Sequence, residues 1–427
     1  MNIGYACLTL GVPGTEYRTL RQKDITPSKM REIIAANLDA LERVTEYNHS
    51  MGIRLFRITS DLIPFGSSPE NPVSWAEEYA EKFRQIGQKI HDYGIRVSMH
   101  PGQYTVLNSP NPDVVSRSIE DLIYHGKVLD ALETDATSKI ILHVGGTYGD
   151  REAAIRRFID HHRGLPEAVR RRLIIENDDR SFTIQEVLRI ANELGIPAVF
   201  DNLHHEINPS ADPKTESEWV MEAGKTWKAA DGKQKLHYSQ QDPSKQRGSH
   251  SFTIAIDPFL DFVGEIVDAD VMLEVKDKNW SAVKCWNCLR PDREIKHLEA
   301  EWARYKYLVL ERDPQAYQAI RGLLKEKNTY PVLNFYRWIE RALEKPAYLG
   351  HSMNALEHVA GYFKDLASET EKKTIYKKMD KCRNGALSID SAKRFFWDLA
   401  WQHHVDYLIH SYFFVKKEQL TPTEREG

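Results

Sequence analysis

The sequence predicts an α/β protein, a parallel (β/α)8 barrel of the TIM type with an all-α domain appended at its C-terminal end. Two observations predict the barrel: eight short apolar, β-branched runs recur through about the first 280 residues, and segments with helical periodicity separate them. A third observation predicts the appended domain, because apolar and aromatic residues recur at helical spacing after about Pro291.

A doubly wound open sheet is the alternative architecture for the same alternation of runs. No Gly-x-Gly-x-x-Gly follows the first run, and no complete phosphate-loop pattern, Gly-x-x-x-x-Gly-Lys-Ser/Thr, is present. Because nucleotide-binding sheets carry such loops, their absence favours the barrel and predicts no nucleotide cofactor.

The elements follow in order along the chain. The predicted strands are Ile3–Leu8, Ile53–Ile58, Arg96–His100, Ile140–Val144, Leu173–Glu176, Ala198–Asp201, Lys235–Tyr238 and Val271–Val275. The predicted helical segments are about 28–49, 74–93, 112–133, 151–163, 183–194, 214–228 and 254–266. We expect residues 1–285 to form the barrel domain and residues 290–427 to form the helical domain, with a short join.

Composition describes an ordinary soluble protein, with 41% hydrophobic and 28% charged residues. No run of 18 or more apolar residues occurs and no signal peptide is recognisable, so we expect no membrane partner. Four scattered cysteines give no disulfide framework, which makes the cytoplasm the expected compartment.

Charge is uneven along the chain. Residues 290–427 carry 24 Lys+Arg against 20 Asp+Glu, which leaves 34 against 42 in residues 1–289. A net-negative first part is not typical of a general nucleic-acid binder. Two explanations stay open: carboxylates that face inward onto bound cations, or an acidic solvated surface.

Eight side chains of metal-ligand type stand at or just after predicted strand ends. They are His100, His143, Glu176, Asp201, His204, His237, His250 and Glu274. Each one alone is more simply a hydrogen-bonded structural residue or a helix cap. In a parallel barrel, however, the C-terminal strand ends meet at one mouth, where the active site lies.

Carboxylates packed together repel one another, and divalent metals remove that conflict. Imidazole and carboxylate are ligands of zinc and manganese sites, and eight of them exceed the needs of one ion, so we expect two or three ions bridged by Glu176 and Glu274. Such a cluster suits phosphodiester hydrolysis. A two-metal sugar isomerase is the alternative, although those sites are mainly carboxylate.

Long motifs of this chain resemble the bacterial and fungal ultraviolet damage endonucleases. They are IGYACLTLG at the start, RTLR (18–21), MHPGQY (99–104), LHVGGTYG (142–149), IENDD (175–179), FDNLHH (200–205), KLHYSQQDP (235–243), GSHSF (248–252) and VMLEVKDK (271–278). The resemblance covers about residues 1–280. An apurinic-site endonuclease family shares the same kind of barrel and metal arrangement. The segments after about residue 290 are similar to a bacterial helical domain of unknown function.

The resemblance implies cleavage of damaged double-stranded DNA immediately 5′ to cyclobutane pyrimidine dimers and 6-4 photoproducts. It implies two or three divalent ions, most often Mn²⁺, with Zn²⁺, Co²⁺ or Mg²⁺ as alternatives, held by the same eight residues. It assigns catalytic roles to Glu176, Glu274, Lys235 and His237, and places Lys235 where related enzymes carry a carboxylated lysine. It implies that Gln103 and Tyr104 wedge into the duplex opposite the lesion and that Tyr5 lines the lesion pocket.

Overall fold

The structure is a computed structural model, and it describes residues 1–266 and 268–415. Contacts between Cα atoms divide these residues into two compact units. The first unit contains Met1–Thr9 and Gly14–Trp286, and the second contains Leu10–Pro13 and the described residues from Asn287 to Val415. Among the described residues, no helix is long and apolar enough to cross a membrane.

The first unit is built on one parallel sheet, which confirms the predicted barrel. Its strands are β1 Ile3–Ala6, β2 Leu55–Ile58, β3 Arg96–Met99, β4 Lys139–His143, β5 Leu173–Glu176, β6 Ala198–Val199, β7 Lys235–Tyr238 and β8 Asp270–Leu273. They pair in the order β6-β5-β4-β3-β2-β1-β8-β7. A parallel bridge between Asp201 and His237 joins the two outer strands, so the barrel is nearly closed.

Helices alternate with these strands. They are α1 Pro27–Met51, α2 Trp75–Glu78, α3 Ala80–Asp92, α4 Pro112–Ala131, α5 Arg151–Arg163, α6 Glu167–Arg170, α7 Ile184–Leu194, α8 Asn202–Ile207, α9 Glu216–Gly224, α10 Ile256–Gly264 and α11 Asn279–Leu289. Local signals set their ends: α1 begins after Thr26, whose hydroxyl accepts from the Lys29 amide, and ends at Gly52 with φ of 77°.

Register decides which side chains face the barrel interior, because residues paired in a parallel sheet point to the same side. Arg57 pairs with Ala6 and with Ser98, whereas Tyr5 pairs with Phe56 and Leu273. The two sets therefore point to opposite faces of the sheet. Since His143 pairs with Glu176 on the inner face, strands β4 and β5 deliver both side chains to the same mouth.

Two boundaries differ from the sequence-based prediction, and the first of them involves a site residue. Strand β6 ends at Val199, and Asp201 instead caps α8, where its carboxylate accepts from the His204 amide at 2.8 Å. The helix predicted over 74–93 is divided at Tyr79, which has ψ of 18° and joins α2 to α3. The strand is shorter than predicted because the backbone at Asp201 already turns to begin the helix that its carboxylate caps.

The described part of the second unit is helical, as predicted. Its helices are α12 Ile295–Arg312, α13 Pro314–Leu323, α14 Val332–Leu343, α15 Leu349–Ala360, α16 Glu369–Arg383, α17 Ile389–Gln402 and α18 Asp406–Ile409. Helix α12 packs against α13, α14 and α15. Its buried face carries Trp302, Tyr305 and Leu308, whose three-residue spacing places them on one side of the helix.

One buried carboxyl makes the second unit sensitive to pH. Glu301 on α12 is completely buried, and neither carboxylate oxygen has a hydrogen-bond partner among the described residues. The nearest cation is Arg304, whose Nε lies 3.7 Å from Oε1. Burial raises the pKa of Glu301 from 4.5 to about 7, and the Arg304 charge offsets only part of that.

We expect Glu301→Gln to stabilise the second unit at high pH only. The carboxyl of Glu301 has a higher pKa in the folded chain than in the unfolded chain. The free energy of unfolding of the wild type is therefore highest below pH 4.5 and falls as the pH rises through about 7. Glutamine does not ionise, so its advantage should be near zero at acid pH and reach on the order of 2–3 kcal/mol above neutral pH. Hydrogen exchange of the α12 amides, compared at about pH 5 and about pH 8, measures this difference. An advantage of equal size at both pH values would contradict it.

Candidate metal centre

The end of β5 carries a carboxylate surrounded by three imidazoles. His100 Nε2 lies 3.0 Å from Glu176 Oε1, and His143 Nε2 lies 2.9 Å from the same oxygen. His237 Nδ1 contacts the other oxygen, Oε2. Ligand atoms of His100, His143 and Glu176 all lie within 4.8 Å of one another. We call these three residues the first subsite.

A second subsite is formed by Asp201, His237 and Glu274, whose ligand atoms also lie within 4.8 Å of one another. His237 Nδ1 is 3.4 Å from Glu274 Oε1, and His250 Nε2 is 4.0 Å from Glu274 Oε2. His204 Nδ1 is 3.8 Å from Asp201 Oδ1. The structure therefore brings all eight residues predicted from the strand ends into one group.

Charges within the group are strongly coupled. Burial would raise the pKa of Glu176, but the charges of His237, His143 and His100 outweigh burial and hold that pKa well below its usual range. Burial would lower the pKa of His204, but the carboxylates, Asp201 first, raise it to about 9. Opposite charges within the group thus stabilise the Glu176 carboxylate and the His204 imidazolium.

Hydrogen bonds outside the group prepare two imidazoles for ligation. His100 Nδ1 donates to the Pro101 carbonyl at 2.9 Å, and His204 Nδ1 donates to the Asn177 carbonyl at 3.0 Å. Since a carbonyl only accepts, these bonds place a proton on Nδ1, so Nε2 carries the lone pair whenever the ring is neutral. Such outward bonds are typical of metal-ligating histidines.

The donor set fits divalent metal ions. Asp201 Oδ2 is buried without a hydrogen-bond partner among the described residues, as is His143 Nδ1. Mixed imidazole and carboxylate donors of this kind suit manganese and zinc. Two subsites with a carboxylate in each agree with more than one ion. Residues of the second unit that group similarly, Asp292, Glu294 and His297, are exposed or half-exposed and pair with neighbouring basic side chains.

Lys235 lies deeper in the barrel, at the start of β7 and two residues before His237 on the same face. It is fully buried, and its Nζ has no hydrogen-bond partner among the described residues. Burial lowers its pKa well below the usual range, and the charges of Arg96 and Arg57 lower it further. An amine held neutral in this way is a nucleophile rather than a cation.

The loop after β3 presents the two side chains predicted to wedge into DNA. Gln103 and Tyr104 form the tip of a turn closed by the Thr105 amide, which donates to the Gly102 carbonyl at 3.0 Å. Tyr104 is 79% exposed, the highest value among the large apolar side chains that stand exposed. The Thr105 hydroxyl donates to Asp121 of α4 at 2.6 Å and anchors the base of the turn.

Tyr5 does not occupy a position that suits a lesion pocket, which corrects the role implied by the resemblance. Its side chain is completely buried on the outer face of the sheet. Its hydroxyl donates to Asn48 of α1 at 2.8 Å and bonds to Thr9 at 2.8 Å, and its ring packs edge-on against Phe56. The strand register explains why Tyr5 faces away from the barrel interior. Its side chain points to the side of the sheet opposite to the interior-facing residues of neighbouring strands.

Sequence reasoning missed two residues of the site. Asn177 brackets Asp201, donating to its carbonyl at 3.0 Å and accepting from its amide at 2.9 Å. Arg57 of β2 donates to Glu274 Oε1 at 2.7 Å. The sequence did contain a signal for Asn177, because this residue directly follows the predicted ligand Glu176 in the IENDD motif. For Arg57 the signal was a cation between Phe56 and Ile58 in a run of otherwise mainly apolar residues.

Known proteins resemble the chain over both units. The UV-endonuclease UvdE family model matches residues 2–306, and that of a family of unknown function, DUF1722, matches residues 306–416. The UV DNA damage endonuclease of Clostridium perfringens (strain 13 / Type A) is 40% identical over 377 residues, covering 87% of this chain and 90% of that protein. Its counterpart in Bacillus cereus (strain Q1) is 32% identical, covering 67% of this chain and 90% of that protein. The crystal structure of SacUVDE aligns with a TM-score of 0.65 and 36% identity, covering 68% of this chain and 98% of that one.

The UvdE match contains all eight strands and all eight predicted ligands. It ends inside α12, where the DUF1722 match begins. The Clostridium relative aligns with more of the chain than the UvdE model alone, so it shares part of the C-terminal region as well. The chain belongs to the UV-endonuclease UvdE family and carries a DUF1722 region at its C-terminal end.

Proposed function

We propose that this protein is a metal-dependent DNA repair endonuclease that hydrolyses the backbone immediately 5′ to cyclobutane pyrimidine dimers and 6-4 photoproducts. The observation that carries the proposal is the convergence of five histidines and three carboxylates at the barrel mouth. Membership of the UvdE family and relatives named UV DNA damage endonucleases support the substrate class.

The proposed metal ligands are the six residues of the two subsites together with His204 and His250. Glu176 and Glu274 are the proposed bridges, and Mn²⁺ is the proposed main ion. Two or three ions held there would stabilise the attacking and leaving oxygens of an in-line displacement and supply hydroxide near neutral pH. His237 touches both bridging carboxylates, so it orients the two subsites relative to each other. Glu176, Glu274 and His237 are therefore the proposed catalytic centre.

Lys235 is the fourth proposed catalytic residue, as a carboxylated lysine. Its neutral amine can attack carbon dioxide, forming an N–C bond and releasing a proton, which yields an anionic carbamate. The buried charges of Arg57 and Arg96 near Lys235 favour an anion at that position. A carbamate on Lys235 would add negatively charged oxygens of the carboxylate type to the barrel interior, on the side of the proposed metal ions.

Gln103 and Tyr104 are the proposed lesion-recognition residues. A photodimer stacks poorly, so its extrusion from the duplex costs less than that of sound bases. An exposed aromatic ring and an amide on a rigid turn can fill the gap and bond the orphaned bases opposite. The barrel unit, about residues 1–285, is the proposed catalytic domain, and we propose that residues 290–427 form a separate helical domain.

The test is nicking of ultraviolet-irradiated plasmid DNA in the presence of Mn²⁺. We expect nicking of irradiated plasmid, little nicking of untreated plasmid, and complete loss with excess EDTA, because the chelator removes the ions. Mapping the cut at a defined dimer should place it on the 5′ side. Absence of a preference for irradiated DNA would overturn the proposal.

Two alternatives are separated by the same assay. An apurinic-site endonuclease would cut an abasic duplex faster than a dimer-containing duplex of the same sequence. A metal-dependent sugar isomerase would convert ketoses and leave both duplexes intact.

A further inference from the structure

The turn between β4 and α5 carries an aromatic residue in a conformation that aromatic residues rarely adopt. The Asp150 amide donates to the Thr147 carbonyl at 3.0 Å, and the two central residues, Tyr148 and Gly149, have φ of 50° and 78°. Positive φ at both central positions is the pattern of a type I′ turn, which Asn, Asp and Gly dominate. A bulky side chain with positive φ is strained, and such strain is typical of functional sites.

Packing does not explain why a tyrosine stands in this turn. Tyr148 is 47% exposed, and its hydroxyl makes no hydrogen bond to any described residue. Its ring lies over Gly146, where an added Cβ would come within 3.4 Å of it, and the Arg157 guanidinium lies 5.6 Å from the ring centroid. Because the turn follows β4, whose last residue is His143, the strained backbone presents this ring at the barrel mouth.

Arg157 on α5 is held in place, but its terminal nitrogens have no protein partner. Nε donates to the Asn108 carbonyl at 2.8 Å, whereas neither Nη1 nor Nη2 has a hydrogen bond or an ion pair within the described residues. Arg163 at the other end of the same helix differs, because it pairs with Glu193. A planar guanidinium with both terminal nitrogens available matches the oxygens of a phosphate.

Asn108 joins this arrangement to the turn of Gln103 and Tyr104. Its side chain is completely buried, and Nδ2 donates to the Gly146 carbonyl at 2.8 Å while its own carbonyl accepts from Arg157. Asn108 belongs to the same loop after β3 as Gln103 and Tyr104, and β3 is the neighbour of β4 in the sheet. A buried residue therefore fixes the two loops to each other, and both loops present an exposed tyrosine at one mouth.

We propose that Arg157 and Tyr148 form a clamp for a phosphate of the DNA backbone, beside the turn of Gln103 and Tyr104. The inference rests on the proposed function, which makes DNA the substrate. The two Nη groups of Arg157 donate to the phosphate oxygens, and the Tyr148 hydroxyl is a further donor. The Tyr148 ring holds the guanidinium by a cation–π contact. Since intact and damaged duplexes carry the same phosphates, the clamp contributes affinity and not the preference for damage.

Arg157→Gln in the full chain tests the clamp, with fluorescence anisotropy of an undamaged duplex in Mn²⁺ at several salt concentrations. The dissociation constant should rise about 10- to 100-fold, because charge-assisted hydrogen bonds to a phosphate are lost. The slope of the logarithm of the binding constant against the logarithm of salt concentration should become shallower by about 0.9, since one phosphate fewer is neutralised. On irradiated DNA, KM should rise while kcat stays within about twofold and metal content is unchanged.

Arg163→Gln is the matched control, since it removes the same charge from the other end of α5. It should leave the dissociation constant and the salt slope unchanged. Tyr148→Gly removes the ring and supplies a residue that adopts φ of 50° without strain. It should weaken duplex binding about 3- to 10-fold with no change in salt slope, because no charge is lost. Its Tm should stay within about 4 °C of the wild-type value, which separates the loss of binding from unfolding.

Three outcomes overturn the inference: an unchanged dissociation constant in Arg157→Gln, an equal loss in Arg163→Gln, or a loss confined to damaged duplex. In each case normal nicking of irradiated plasmid by the wild type would leave the proposed function standing. If the wild type instead bound duplex but showed no preference for irradiated plasmid, the proposed function would fail, and the undamaged duplex would still decide for or against the clamp. A wild type that bound no duplex at all would overturn both.

Discussion

Glu176→Gln is expected to abolish metal binding at the first subsite and to reduce nicking of irradiated DNA on the order of a thousandfold. The carboxylate is buried against His100, His143 and His237, and it is the only acid of that subsite. Glutamine keeps the shape but removes the charge, and breaking a buried charge pair costs about 3–5 kcal/mol. Calorimetric Mn²⁺ titration and a nicking assay measure the two effects.

Glu193→Gln provides the control for this substitution. Glu193 is an exposed glutamate near the end of α7, paired with Arg163 on the surface of the same unit. An exposed ion pair contributes about 0–1 kcal/mol, so Mn²⁺ affinity and nicking should not change. Unchanged Mn²⁺ affinity in Glu176→Gln itself would show that the first subsite does not hold the ion.

The double variant Gln103→Ala with Tyr104→Ala is expected to lose recognition of damage while keeping its metal. Stacking of one base on an aromatic ring contributes about 1–3 kcal/mol, so binding to a dimer-containing duplex should weaken about 10- to 100-fold. Binding to undamaged duplex should change little. Metal content should stay the same, because a backbone hydrogen bond closes the turn and the His100 imidazole keeps its own bond to the Pro101 carbonyl.

Fluorescence anisotropy with matched damaged and undamaged duplexes, together with metal analysis, measures these effects. Tyr376→Ala is the control, since Tyr376 of the second unit is 73% exposed, close to the 79% of Tyr104. Removing it should leave the preference for damaged DNA unchanged. An equal loss of affinity for both duplexes in the double variant would contradict a role in recognising damage.

These two variants test the parts of the site that the sequence predicted best. Ligands such as His100, His143 and Glu176 stand where an apolar run ends, and parallel strands bring their C-terminal ends to one mouth. The convergence of these ligands at one mouth could therefore be predicted from the order of the apolar runs alone. Asp201 was recognised as a site residue although it caps α8 rather than ending a strand, since both places lie at the same mouth.

Tyr5 shows where sequence reasoning stops. Strand β1 reads Ile-Gly-Tyr-Ala and is buried along its whole length, so no alternation of polar and apolar residues indicates its inner face. Only pairing with β2 and β8 settles the orientation, and it turns Tyr5 towards α1. A motif match shows which residue type occupies a position, but it does not determine which face of the strand that residue lies on.

The barrel, the helical second unit, the family and the eight candidate ligands could be predicted from the sequence, because strand ends and long motifs are local properties of the chain. The division of the ligands into two subsites depends on the three-dimensional packing of the strands. That packing also places Arg57 against His237, which lies 180 residues further along the chain. The physical reason is register: a one-residue change of pairing turns every side chain of a strand to the opposite face, and local sequence does not encode the pairing partner.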